Sequence, residues 1–222
     1  MLDLRFASRP FFGFLLASFM FAALQQDQQK QPISPLPAEH EPASIGLLLD
    51  NSGSMKGKVN VAVAAFHELV KASNPQDEFF VVNFNDDPYM DADFTSDPKS
   101  VFEALGKADA RSGTSINDTV VAAADHLAKG AKYKKKKIVL LTDGEDNTSH
   151  TSVKQMLKQL HELGLPAVYC ILMPESGKRS HARKSLDSLA QETGGKVFYP
   201  ANETQLSEMA QQIIQEIDKN TN

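Results

Sequence analysis

Short apolar runs alternate with amphipathic stretches from Ile45 to the end of the chain. IGLLLD (45–50), EFFVVNFN (78–85), KKIVLLTD (136–143), PAVYCILM (166–173) and KVFYP (196–200) are nearly continuous in large apolar residues. Such runs fit strands buried on both faces of a parallel sheet, not half-exposed ones. Between them, apolar residues recur at helical spacing. Val59, Val63, Phe66 and Val70 predict a helix over Lys58–Ser73, and Val120, Val121, Ala124 and Leu127 predict one over Thr119–Gly130. Further helices are predicted at 98–106, opened by Asp97 and Pro98, and at 152–163, 182–192 and 203–219. YMDADF (89–94) alternates instead and predicts an edge strand in a hairpin with 78–85. The alternation predicts an α/β fold: a doubly wound, mostly parallel six-stranded sheet with helices on both faces.

Before Ile45 the pattern changes. Arg5 and Arg9 precede FFGFLLASFMFAAL, an uncharged apolar run shorter than the ~20 residues of a membrane-spanning helix. Residues 1–24 therefore read as a signal peptide or an uncleaved N-terminal anchor, which would attach the chain to a membrane. Residues 25–43, rich in Gln, Pro and Glu, bury too little surface to fold and read as a disordered linker. The folded domain is expected over 44–219. Localisation is accordingly expected to be exported: periplasmic, envelope-associated or secreted.

Composition narrows function by exclusion. A net charge of -5 argues against a nucleic-acid partner held through phosphate neutralisation. With Cys170 alone in the chain no intramolecular disulfide can form, and its apolar surroundings suit a small core residue. The six histidines show no H-E-x-x-H or Cys-His spacing and are expected at the surface. KYKKKK (132–137) reads either as a solvated connection ahead of a strand or as a patch for anionic membranes.

The candidate chemistry lies at two strand ends. Asp50 closes the first strand and Asp143 the fourth, and in the order 3-2-1-4-5-6 these strands are neighbours across the point where ligands bind. Ser52 and Ser54 follow Asp50 at two-residue spacing, with Gly53 and Gly57 allowing a tight turn, and SGTSIND adds Thr114. Carboxylates and hydroxyls are hard oxygen donors suited to Mg²⁺, with Mn²⁺ or Ca²⁺ as alternatives. Taken alone, Asp50, Ser52 and Ser54 also fit a helix cap, and Asp118, Glu145 and Asp146 read as loop acids or caps.

DNSGS, SGTS and LLTDGED, in that order, resemble the von Willebrand factor type A domain with an intact metal-ion-dependent adhesion site, in its bacterial exported form. The resemblance spans about residues 44–219. It implies Ser52, Ser54 and Thr114 as hydroxyl ligands, Asp50 and Asp143 as direct or water-mediated ones, and Mg²⁺ as the cofactor. It also implies adhesion as the function, in which an Asp or Glu of another protein completes the metal's shell. The alternatives are a scaffold that the metal only stabilises, and a phosphoryl-transfer enzyme using a strand-end Asp. The enzyme would want a second acid where Ser52 stands, and neither G-x-S-x-G nor a P-loop is present. No enzyme is expected.

Overall fold

The computed structural model describes residues 41–173 and 180–219. Residues 1–24 and most of the expected linker lie outside them; Ala43, the linker's last residue, is already in the first strand. In chain order the elements are β1 (Ala43–Asp50), a 3-10 turn (Gly53–Met55), α1 (Val59–Ala72), β2 (Glu78–Phe84), β3 (Pro88–Thr95), α2 (Pro98–Leu105), α3 (Ile116–Gly130), β4 (Lys135–Thr142), α4 (Val153–Glu162), β5 (Ala167–Leu172), α5 (Ser180–Thr193), β6 (Val197–Phe198) and α6 (Glu203–Lys219).

The sheet order is β3-β2-β1-β4-β5-β6, as the pattern predicted. All pairings are parallel except β2 with the edge strand β3, whose register shifts between Phe79 and Val82. Alternate side chains of each strand enter different cores. Ile45, Leu47 and Leu49 pack with α1, α2 and α6, while Leu48, Phe80 and Leu140 pack with α3, α4 and α5. Both faces of β1, β2, β4 and β5 are thus buried, which explains why their sequences carry no polar alternation.

Two expectations are corrected. The lysine run is neither a solvated connection nor a free patch, because β4 starts inside it. Lys135 and Lys137 are buried by the strand's alternation, while Lys132 and Lys134 stay exposed. Nor are all histidines superficial: His67 lies against Phe102 with centroids 4.0 Å apart, and His126 stacks on Phe94 at 4.6 Å. Each sits where a helix crosses an aromatic residue, a tertiary contact that helical periodicity does not reveal. Among the described residues no helix is long and apolar enough to cross a membrane.

Candidate metal centre

β1 and β4 run side by side in register, so their carboxyl ends open into one crevice. Asp50 is the last residue of β1 and is fully buried. One of its carboxylate oxygens accepts the Ser52 N–H at 2.8 Å, and the other accepts the Thr142 hydroxyl at the end of β4. Burial pushes the Asp50 carboxyl above the usual aspartate range; hydrogen bonds from Thr142 and Ser52 oppose that shift, and the nearby Asp143 charge adds to it.

The turn after Asp50 brings the two serines together. Ser52 and Ser54 Oγ are 3.1 Å apart, and Ser54 donates to Asp143 Oδ1 at 2.7 Å. The Lys58 ammonium contacts the other oxygen, Oδ2. Asp143 itself is buried. Four of the five expected residues, Asp50, Ser52, Ser54 and Asp143, therefore form one contiguous chain of hydrogen-bonding groups.

Thr114 is buried, on a loop laced to the segments that follow both strands. Arg111 N–H donates to Asn51 O at 2.9 Å and Gly53 N–H to Ser112 O at 3.1 Å, joining the loop to the β1 turn. On the other side Thr114 N–H donates to Asn147 Oδ1 and Thr114 O accepts the Asn147 N–H, both at 2.9 Å. No hydrogen bond joins the Thr114 hydroxyl to the other four side chains among the described residues.

Glycine is required at two points. Gly57 has φ +82°, the left-handed turn from which the chain enters α1, and a Cβ on Gly113 would lie 2.6 Å from Asp86 Oδ1 and 2.8 Å from Asn147 Oδ1. The neighbouring acids brace loops: Asp118 accepts the Thr151 and His150 N–H groups, Asp146 accepts the Asn117 N–H, and Glu145 accepts the Ala182 N–H. Sequence reasoning missed Thr142 and Lys58. Thr142 was legible in principle, since it faces β1 one residue before Asp143; the reach of Lys58 depends on the Gly57 turn.

The donor chemistry fits a small divalent cation. Octahedral Mg²⁺ at ~2.1 Å sets adjacent ligand oxygens about 3 Å apart, which is the Ser52–Ser54 spacing. Among the described residues no group of three or more His, Cys, Asp or Glu side chains is arranged to hold a metal ion. The candidate set differs in drawing on hydroxyls.

A doubly wound sheet with hydroxyls and carboxylates converging at its reversal point defines a class of α/β domain that binds ligands beyond its strand ends. Residues 45–145, which include all five candidate ligands, are similar to the family described as the von Willebrand factor type A domain. No curated protein matches the chain.

Solved structures share the fold. A von Willebrand factor type A protein from Catenulispora acidiphila superposes with a TM-score of 0.66 at 21% identity, over 80% of this chain and 43% of that one. The chain thus spans under half the length of that relative. An aerotolerance-related membrane protein from Bacteroides fragilis gives 0.63 at 20% identity, over 80% of this chain and 100% of that one. The vWF domain of the type V pili tip protein from Porphyromonas gingivalis gives 0.66 at 14% identity, over 83% and 99%.

Proposed function

We propose that the domain is a Mg²⁺-dependent protein-binding module that engages an Asp or Glu of a partner protein. The observation that carries this reading is the convergence of Asp50, Ser52, Ser54 and Asp143, in which the Ser52–Ser54 oxygens at 3.1 Å and the Ser54–Asp143 oxygens at 2.7 Å lie near the ~3 Å between adjacent ligands of an octahedral cation. Ser52, Ser54 and Thr114 would supply hydroxyls, and Asp50 and Asp143 would bind directly or through water. When bound, Mg²⁺ supplies a hard positive centre that few direct carboxylates neutralise, and a partner carboxylate gains more from it than an amide would.

This chain's own groups prepare the site. Asp50 orders the turn through the Ser52 N–H, and Thr142 fixes the Asp50 carboxylate. The Asn51–Arg111, Gly53–Ser112 and Thr114–Asn147 main-chain links hold three loops in register around it. Export to the cell envelope or exterior is part of the proposal. It is supported by the apolar run behind Arg5 and Arg9 and by likeness in fold to a membrane protein and a pilus tip protein.

The test is a pull-down from envelope extract with and without chelator, using wild type and Thr114→Ala. Expected are proteins retained only by wild type with Mg²⁺, and calorimetry showing Mg²⁺ binding weakened at least about tenfold in the variant. Retention that ignores both chelator and variant, together with no Mg²⁺ heat from wild type, would overturn the reading.

A further inference from the structure

Among the described residues Lys58 brings to the candidate site a positive charge that the ligand set does not account for. Its ammonium contacts Asp143 Oδ2, and the Asp143 side chain is fully buried while that of Lys58 is 29% exposed. Asp143 Oδ1 meanwhile accepts the Ser54 hydroxyl. Asp143 thus has one oxygen turned to the ligand array and the other held by a positive charge.

The backbone fixes where that charge starts. Lys58 N–H donates to Met55 O at 2.8 Å, and Lys58 O accepts the Val61 and Ala62 N–H groups at 3.1 and 3.0 Å, anchoring its Cα at the start of α1. The left-handed Gly57 precedes it and turns the chain back toward the crevice. Only the four-carbon stem remains free to swing, and its partial exposure gives it a path toward solvent.

We propose that Lys58 is a tethered competitor for the cation site, which shares Asp143 with the metal and sets how tightly the metal is held. The inference rests on the metal-site reading above. A divalent cation drawn to Asp143 Oδ1 and an ammonium on Oδ2 would lie within about 5 Å of each other in a partly buried crevice, where the repulsion is weakly screened. Either the ammonium leaves Asp143 or the cation binds against it, and both lower the metal's affinity. Charge counting agrees: Asp50 and Asp143 offer two negative charges and Lys58 cancels one of them. Within the crevice Lys58 is thus a residue that determines affinity, not a ligand.

The experiment is Mg²⁺ calorimetry on the full folded domain for wild type, Lys58→Met and Lys58→Arg, with thermal unfolding in chelator as the check on folding. Lys58→Met keeps the stem and removes the charge, whereas Lys58→Arg keeps the charge. Expected is tightening of Mg²⁺ binding by roughly tenfold in Lys58→Met, equivalent to about 1.4 kcal/mol, with Lys58→Arg within about threefold of wild type. Binding by Lys58→Met as weak as wild type, or weaker, would overturn the competitor role; a purely structural ion pair predicts that weakening along with a lower unfolding temperature. Wild type that binds with an unchanged Lys58→Met affinity sinks this inference alone, whereas no binding by any of the three sinks the metal site and this inference with it. A Lys58→Met protein that binds when wild type does not would support both.

Discussion

The two ends of the sheet solve the same problem differently. At the amino end of β1 and β2, buried polar groups are completed by the chain itself. Ser44 donates to Glu78 Oε1 at 2.6 Å and accepts the Tyr133 N–H at 3.1 Å; Glu78 also accepts the Lys132 N–H, and Asp77 accepts the Ala43 N–H at 2.7 Å. At the carboxyl end the accounts stay open. Among the described residues five buried side-chain atoms have no hydrogen-bond partner: His67 Nε2 in α1, and Asn51 Oδ1, Asn83 Oδ1, Ser115 Oγ and Thr148 Oγ1 on the strand ends and loops around Asp50 and Thr114. An orphaned buried group costs roughly 1–3 kcal/mol, so a fold that places four of the five at one end gives up stability at the end that holds the candidate site.

The sharpest way to break this contrast is to neutralise Asp50. Asp50→Asn keeps an oxygen for the Ser52 N–H and removes a carboxylate that burial already disfavours as a charge. Mg²⁺ affinity should fall at least about a hundredfold, while the unfolding temperature in chelator stays level or rises. A variant that unfolds markedly earlier in chelator and still binds Mg²⁺ would make Asp50 a structural residue and erase the difference between the ends.

The converse change at the amino end is Ser44→Ala. It removes a donor from the buried Glu78 and leaves the part-buried Tyr133 N–H without its acceptor. Denaturant unfolding should show a loss of about 2–3 kcal/mol, with Mg²⁺ affinity unchanged within error. A change in affinity would mean that the two ends are coupled through β1.

How legible each end was follows the same division. The architecture could be read because β1, β2, β4 and β5 are buried on both faces, and both-face burial writes itself as continuous apolar sequence. α6 was placed at its observed bounds, and Asp97 and Pro98 marked the start of α2. α3 was placed three residues late because Ile116, which shares the buried stripe of Val120, Ala123, Ala124 and Leu127, sits inside the polar run SGTSIND that reads as loop. That Asp50, Ser52, Ser54 and Asp143 lie together was legible from the two strands ending in acids and the two-residue spacing of the serines. Thr142 could have been read from its place one residue before Asp143 on the neighbouring strand, whereas Lys58 could not, since a side chain returning from a left-handed turn exists only in three dimensions. The lock formed by Ser44, Asp77 and Glu78 had no signal at all: its members look like ordinary polar residues at strand starts.

The smallest expected effect comes from that lock and depends on pH. Burial pushes the Asp77 carboxyl up to about 6; hydrogen bonds from the Ala43 and Asn74 N–H groups pull it back, Asp218 adds to the rise and Lys135 opposes it. Between the unfolded value of 3.8 and about 6 the folded protein binds this proton more tightly than the unfolded chain does. The charged form therefore costs stability above about pH 6, and that cost fades as the pH falls toward 4. Asp77→Asn keeps an acceptor for the Ala43 N–H without the charge. At pH 7.5 it should be more stable than wild type by about 2 kcal/mol, and denaturant titrations at successively lower pH should show the gap closing through pH 6. A gap that is constant with pH would mean that Asp77 does not titrate in this range. A gap of opposite sign would mean that the Lys135 and Asp218 pair beside it needs the Asp77 charge, leaving the amino end, like the carboxyl end, dependent on charges held in tension.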